Sequence, residues 1–64
     1  MDEVYCVERY RGYLVGISLD VDSGLYYGDA YFNGTCLVDN IHSVVSANKC
    51  LDLVKEAIDT LEDL

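Results

Sequence analysis

The sequence predicts an α+β domain, a small antiparallel sheet of three strands, or four, with one C-terminal helix packed on one of its faces (β-β-β-α). Three observations lead there. Apolar residues alternate with a period of two over residues 13–21, Asn33-Gly34 divides a β-rich stretch, and from Ala47 onward the apolar period changes to three and four.

Tyr13, Val15, Ile17, Leu19 and Val21 alternate with Leu14, Gly16, Ser18 and Asp20, the pattern of a strand with one buried face. Asp22-Ser23-Gly24 supplies a turn, with Gly24 free to take positive φ. Residues 25–32 read as a second strand. Asn33-Gly34 is a hairpin signal, because both residues tolerate the positive φ of a type I′ turn. A third strand is expected from about Thr35, interrupted at Asp39-Asn40 and resumed from Ile41 to Val45. The segment Val4 to Arg9 forms a further strand or extends the first.

Ala47, Cys50, Leu51, Val54, Ala57, Ile58 and Leu61 then recur at helical spacing, giving an amphipathic helix to about Asp63. Ser46 stands where an N-cap belongs. The expected core brings Val15, Ile17 and Leu19 of the sheet against Leu51, Val54, Ile58 and Leu61 of the helix.

Sixty-four residues make one domain, residues 1–64, with a thin core. Oligomerisation often supplements such cores, and an open sheet leaves edges that seek pairing, so a homodimer is expected. Cys6, Cys36 and Cys50 form no Cys-x-x-Cys pair, and an odd, scattered set reads as buried small apolar residues, not a disulfide framework or zinc site. The acidic start Met1-Asp2-Glu3 is unlike a signal peptide, and no apolar run approaches the length of a membrane span. A cytoplasmic location follows as the expectation. Twelve acids face four bases, for a net charge of −8. That balance argues against direct nucleic-acid binding, which needs bases to displace phosphate counterions, and against anionic membranes. It suits electrostatic steering toward a basic protein.

Tyr10-Arg11-Gly12-Tyr13, followed by a strand and then Asp22-Ser23-Gly24-Leu25-Tyr26-Tyr27-Gly28, resembles the opening hairpin of HicB-like antitoxins. The stretch from Ser46 through Glu62, including Val54-Lys55-Glu56-Ala57-Ile58-Asp59, is similar to that family's single helix. The resemblance spans most of residues 10–63 and implies a truncated ribonuclease-H-like unit that caps a basic HicA-type ribonuclease toxin. The chain is a few residues longer than the family pattern between Gly28 and Ser46. The DNA-binding segment that usually follows the helix has no counterpart before Leu64.

No catalytic constellation emerges, and neither a metal nor another cofactor is expected. Asp20-Val21-Asp22-Ser23-Gly24 imitates the start of a calcium loop, but its glycine comes one place early and the position of the bidentate glutamate holds Tyr31. Asp20, Asp22 and Asp29 lie on or beside one hairpin, too local for two-metal chemistry. His42 and Ser43 are strand neighbours that point to opposite faces, which does not make a triad.

Two groups remain as candidate partner-binding residues. Tyr26 and Tyr27 must point to opposite faces, so with Tyr31 they offer both core packing and an interface anchor. On the helix, Asp52, Glu56, Asp59 and Asp63 follow at steps of four, three and four, with Glu62 beside them and Lys55 within reach of Asp52 and Asp59. Acids in the last helical turn oppose the helix dipole, so the stripe suits a solvated face or a surface aimed at a basic partner. The sequence thus predicts a non-catalytic inhibitor of a basic nucleic-acid-handling protein. A toxin ribonuclease capped in antitoxin fashion is one such partner. A nucleic-acid-binding defence complex blocked by charge mimicry, as phage anti-CRISPR or anti-restriction inhibitors do, is the other.

Overall fold

The computed structural model describes the backbone of residues 2–44 and 46–64 and the side chains of residues 7–39 and 46–64. Expectations resting on Val45, or on the side chains of Cys6, Ile41, His42 and Ser43, lie outside the described residues.

Four strands form one antiparallel meander in chain order: β1 (Asp2–Tyr10), β2 (Tyr13–Asp20), β3 (Leu25–Phe32) and β4 (Thr35–Val44), followed by α1 (Ala47–Glu62). The segment around Val4 to Arg9 is therefore a strand of its own. It is separated from β2 by Arg11-Gly12, whose φ values of 53° and 86° match the 52° and 81° of Asn33-Gly34. Both turns place two residues at positive φ, the type I′ geometry whose twist suits a tight hairpin. The middle turn is longer. Asp20 accepts the Gly24 amide on its carbonyl at 2.8 Å, and its carboxylate accepts from the Asp22 amide at 3.1 Å and the Ser23 hydroxyl at 3.0 Å. These bonds end β2 at Asp20, so Val21 belongs to the turn and is exposed rather than continuing the buried alternation.

The expected interruption at Asp39-Asn40 is a bulge within a continuous β4. Gly28 pairs with Ile41 and Ala30 with Val38, so Asp39 and Asn40 together oppose Asp29. Further shifts displace Leu37, between the Ala30–Val38 and Tyr31–Cys36 pairs, and Ser43, between the Tyr26–Val44 and Tyr27–His42 pairs. Such irregularity on an edge strand discourages pairing with another chain.

The helix lies on one face of the sheet. Ser46 caps it as expected, its hydroxyl accepting the Lys49 amide at 3.3 Å, and Asp63 is the C-cap. Tyr13, Val15 and Ile17 of β2, Ala30 of β3 and Val38 of β4 are buried against Cys50, Val54 and Ile58. Leu51 packs at the margin of this cluster, and Leu19 is half-buried. Leu61 departs from the expected core. It is 38% exposed and faces the bulged Leu37 across an open cleft of about 400 Å³. Cys36 is also exposed, because its β4 position opposite Tyr31 turns it away from the helix, so only Cys50 of the described cysteines is a core residue.

Gly28 sets the distance between the layers. A Cβ there would lie 2.5 Å from Val54 Cγ2 and 2.8 Å from Ile17 Cδ1, both buried side chains with nowhere to retreat. Gly28→Ala is expected to cost about 1–3 kcal/mol in urea denaturation through overpacking. Ile58→Ala should cost about 2–5 kcal/mol through a cavity, and Leu61→Ala, at an exposed site, under about 1 kcal/mol.

Candidate functional site

Two surfaces carry the residues that the sequence singles out, and the structure divides those residues differently from the expected grouping. On α1, Asp52, Glu56 and Asp63 stand on the side away from the sheet and are exposed. At 1.5 Å of rise per residue they are spaced by about 6 and about 10 Å along the axis. Their side chains make no hydrogen bond or ion pair among the described residues. The last turn holds no base, so Glu62 and the capping Asp63 meet the negative end of the dipole uncompensated from within the helix.

Asp59 belongs elsewhere. It projects from the flank of α1 toward the β1–β2 turn. There the Tyr10 hydroxyl donates to both carboxylate oxygens, at 2.9 and 3.1 Å, and Arg11 Nη1 pairs with Oδ1 at 2.8 Å. The Arg11 hydrogen bond, then that of Tyr10, hold this carboxyl below the usual range. Glu62 is engaged in the same way, accepting from the Tyr13 hydroxyl at 3.1 Å. Lys55 turns to β1, meeting Glu8 Oε2 at 3.2 Å with its ammonium 5.3 Å from the centre of the Tyr10 ring, where the sequence suggested Asp52 and Asp59 as partners. Asp59, Glu62 and Lys55 thus form a latch between helix and first hairpin. Bonding to Asp59 raises the Tyr10 phenol above its ordinary value, and the Tyr13 phenol is raised first by burial and then by its bond to Glu62.

The second surface is the face of the sheet that α1 leaves open. Strand alternation and register place Val7 and Arg9 of β1 there, with Leu14, Gly16 and Ser18 of β2 and Leu25, Tyr27, Asp29 and Tyr31 of β3. Val7 is 57% exposed, Leu14 42%, Tyr31 40% and Leu25 39%. The two adjacent tyrosines separate as alternation requires: Tyr26 packs against the core and Tyr27 lies on the open face. Asp29 is half-buried opposite Gly16, where a Cβ would come 3.2 Å from Asp29 Oδ1. Burial, followed by the nearby Asp39, raises its carboxyl. Asp29 also raises the Tyr31 phenol, with Cys36 next in effect. At the end of this face Arg9, Gly12, Leu14, Tyr31, Asn33 and Gly34 line a shallow groove of about 530 Å³.

Of the sequence-predicted site residues, then, Asp52, Glu56 and Asp63 share the outer helix face, while Asp59 and Glu62 are held by the hairpin. Tyr27 and Tyr31 share the open sheet face, and Tyr26 serves the core. The sequence reading missed Arg9 and Arg11. Their scarcity was the available signal: among four bases and twelve acids, each base has many potential partners. No group of three or more His, Cys, Asp or Glu side chains among the described residues is placed to hold a metal ion. No described helix is long and apolar enough to cross a membrane. Comparison with family models, curated proteins and solved structures finds no match to this chain.

The two perturbed carboxyls give opposite pH signatures. Asp59 is depressed in the folded state, so it contributes stability above its ordinary value near 3.8 and loses it as pH falls through the lower folded value. Asp59→Asn should therefore lower Tm at neutral pH, with the difference from wild type closing in strong acid. Asp29 is raised, so its charged form burdens the fold increasingly as pH rises from 3.8 through the folded value. Asp29→Asn should raise Tm at neutral pH and leave it unchanged near pH 3. Calorimetry of both variants across this range checks the two signs.

Proposed function

We propose that the chain is a non-catalytic cytoplasmic inhibitor that binds a basic nucleic-acid-handling protein through the outer face of α1. The reading follows the resemblance of its first hairpin and helix to HicB-like antitoxins, with a HicA-type ribonuclease toxin as the corresponding partner. The observation that supports it most directly is that Asp52, Glu56 and Asp63 stand exposed on one helix face with no side-chain hydrogen bond or ion pair among the described residues, Asp63 feeling the Arg11 charge only at longer range. A helix end shaped for stability alone gains from bases in its last turn, each worth a few tenths of a kcal/mol, and this one has none. A net charge of −8 adds long-range attraction to a basic partner.

The latch determines which variant tests the idea. Neutralising Asp59 together with the other acids would damage the fold, so the informative protein is Asp52→Asn with Glu56→Gln and Asp63→Asn. Its Tm should match or exceed that of wild type, since repulsion and dipole conflict both fall. Wild type immobilised in host extract is expected to retain a basic nucleic-acid-handling protein that high salt elutes. With that protein purified, the triple variant should associate about tenfold or more slowly, with a flatter dependence on salt. A ribonuclease on the column supports the antitoxin reading, whereas a DNA- or RNA-guided defence protein supports charge mimicry. Equal binding and equal salt dependence of both proteins would reduce the acids to a solvated face.

A further inference from the structure

We propose that two copies of the chain pack through the open faces of their sheets, about a two-fold axis that runs parallel to the strands between β2 and β3. The result is a sandwich of two four-stranded sheets with both helices outside. This contact is separate from the helix surface assigned above and does not depend on that assignment.

The open face is laid out for such an exchange. Its rows across the sheet are Arg9, Leu14, Tyr31 and Cys36, then Val7, Gly16 and Asp29, the last opposed by the Asp39-Asn40 bulge. An axis between β2 and β3 exchanges β2 with β3 and β1 with β4, so each contact occurs twice, as an isologous interface requires. Leu14 then lies over the second copy's Tyr31, and Tyr31 over the second copy's Leu14. Both are substantially exposed in the single chain. Gly16 lies over the second copy's Asp29 and presents no side chain to it. Val7 lies over the second copy's Asp39-Asn40 bulge, and Arg9 lies over the second copy's Cys36, one row along β4 from Asp39, with the second copy's Asp39 and Asp29 within a long side chain's reach.

Charge selects a second copy over a uniformly basic partner. Arg9 makes no ion pair among the described residues, whereas Arg11 and Lys55 are engaged in the latch. Asp29 and Asp39 stand close enough for one to disfavour ionisation of the other. A basic surface would satisfy this acidic pair but repel Arg9. The two-fold brings each Arg9 to the acidic pair of the other copy. The net charge of −8 is a smaller obstacle than it first suggests. With sheets about 10 Å apart and each helix axis about 10 Å beyond its sheet, the helix axes are roughly 30 Å apart and the acidic outer faces roughly 40 Å, about four Debye lengths at 0.1 M salt. Four strands at about 4.8 Å and seven residues at about 3.3 Å give a face of roughly 20 by 23 Å, at the small end of specific interfaces, so micromolar association is expected.

Sedimentation equilibrium of the full chain from low to high micromolar concentration tests the proposal, with amide NMR spectra confirming that each variant is folded. Wild type should dimerise. Leu14→Lys should abolish association, and Arg9→Glu and Asp39→Arg should each weaken it about tenfold, with the double variant recovering most of the loss because the pair is reversed rather than removed. The triple helix variant should dimerise like wild type, which separates this contact from the inhibitor reading. A folded wild type that stays monomeric at high micromolar concentration would overturn the proposal. So would a dimer indifferent to Leu14→Lys, which would point to strand-edge or helix contacts, or a charge reversal that restores nothing.

Discussion

At Gly28 the backbone of β3 comes so near α1 that a single added methyl would lie 2.5 Å from Val54 Cγ2. The approach fixes the height of the helix above the sheet, and much else follows from that height. It lets Cys50, Val54 and Ile58 bury completely against Val15, Ile17 and Ala30, although none of these is a large aromatic residue. A domain of this size has little apolar area to bury, so close contact must supply through packing what bulk cannot. The same height brings the flank of α1 within hydrogen-bonding distance of the first hairpin.

That flank is where packing and charge become one argument. The hairpin turn Arg11-Gly12 places Tyr10, Arg11 and Tyr13 together at one end of the sheet, and two helix acids turn to them. Arg11 and Asp59 are both substantially exposed, so their ion pair alone is worth little. Its value lies in geometry, because Tyr10 fixes the same carboxylate and Lys55 secures β1 one turn earlier. Among its described residues β1 has few other contacts with the helix, and the latch gives this outer strand a tie to the second layer.

The fold was legible where local chemistry and global packing agree. Ser46, the period change at Ala47, Asn33-Gly34 and the alternation of Tyr13, Val15 and Ile17 are each decided by nearby residues, and each is found in the structure. What the sequence concealed is non-local. Arg11-Gly12 reads as a turn as readily as Asn33-Gly34 once the pairing of β1 is known, but a bulky arginine at positive φ is a weak signal by itself. Leu61 has the period of a core residue, yet the bulge at Leu37 leaves the cleft opposite it open. The acidic stripe was legible as a pattern of spacing. Its division into Asp59 on the flank and Asp52, Glu56 and Asp63 outside depends on where the sheet lies around the helix, which spacing alone does not encode.

The division bears on how an acidic chain this small can fold and still leave negative charge exposed on its surface. Two of its four bases are used inside the molecule, each beside Tyr10 and each matched to an acid on the other layer. That expenditure neutralises charge at the interface between the layers, where repulsion would part them. The helix acids that make no ion pair among the described residues stand on its outer side, where water and salt screen them most effectively. On the opposite side of the molecule the open sheet face holds exposed apolar residues, Arg9 and the half-buried Asp29. The helix side therefore has the character of a long-range electrostatic surface, and the sheet side that of a short-range packing surface. Two such surfaces on opposite sides of one sheet can be occupied together, since contact on one does not cover the other.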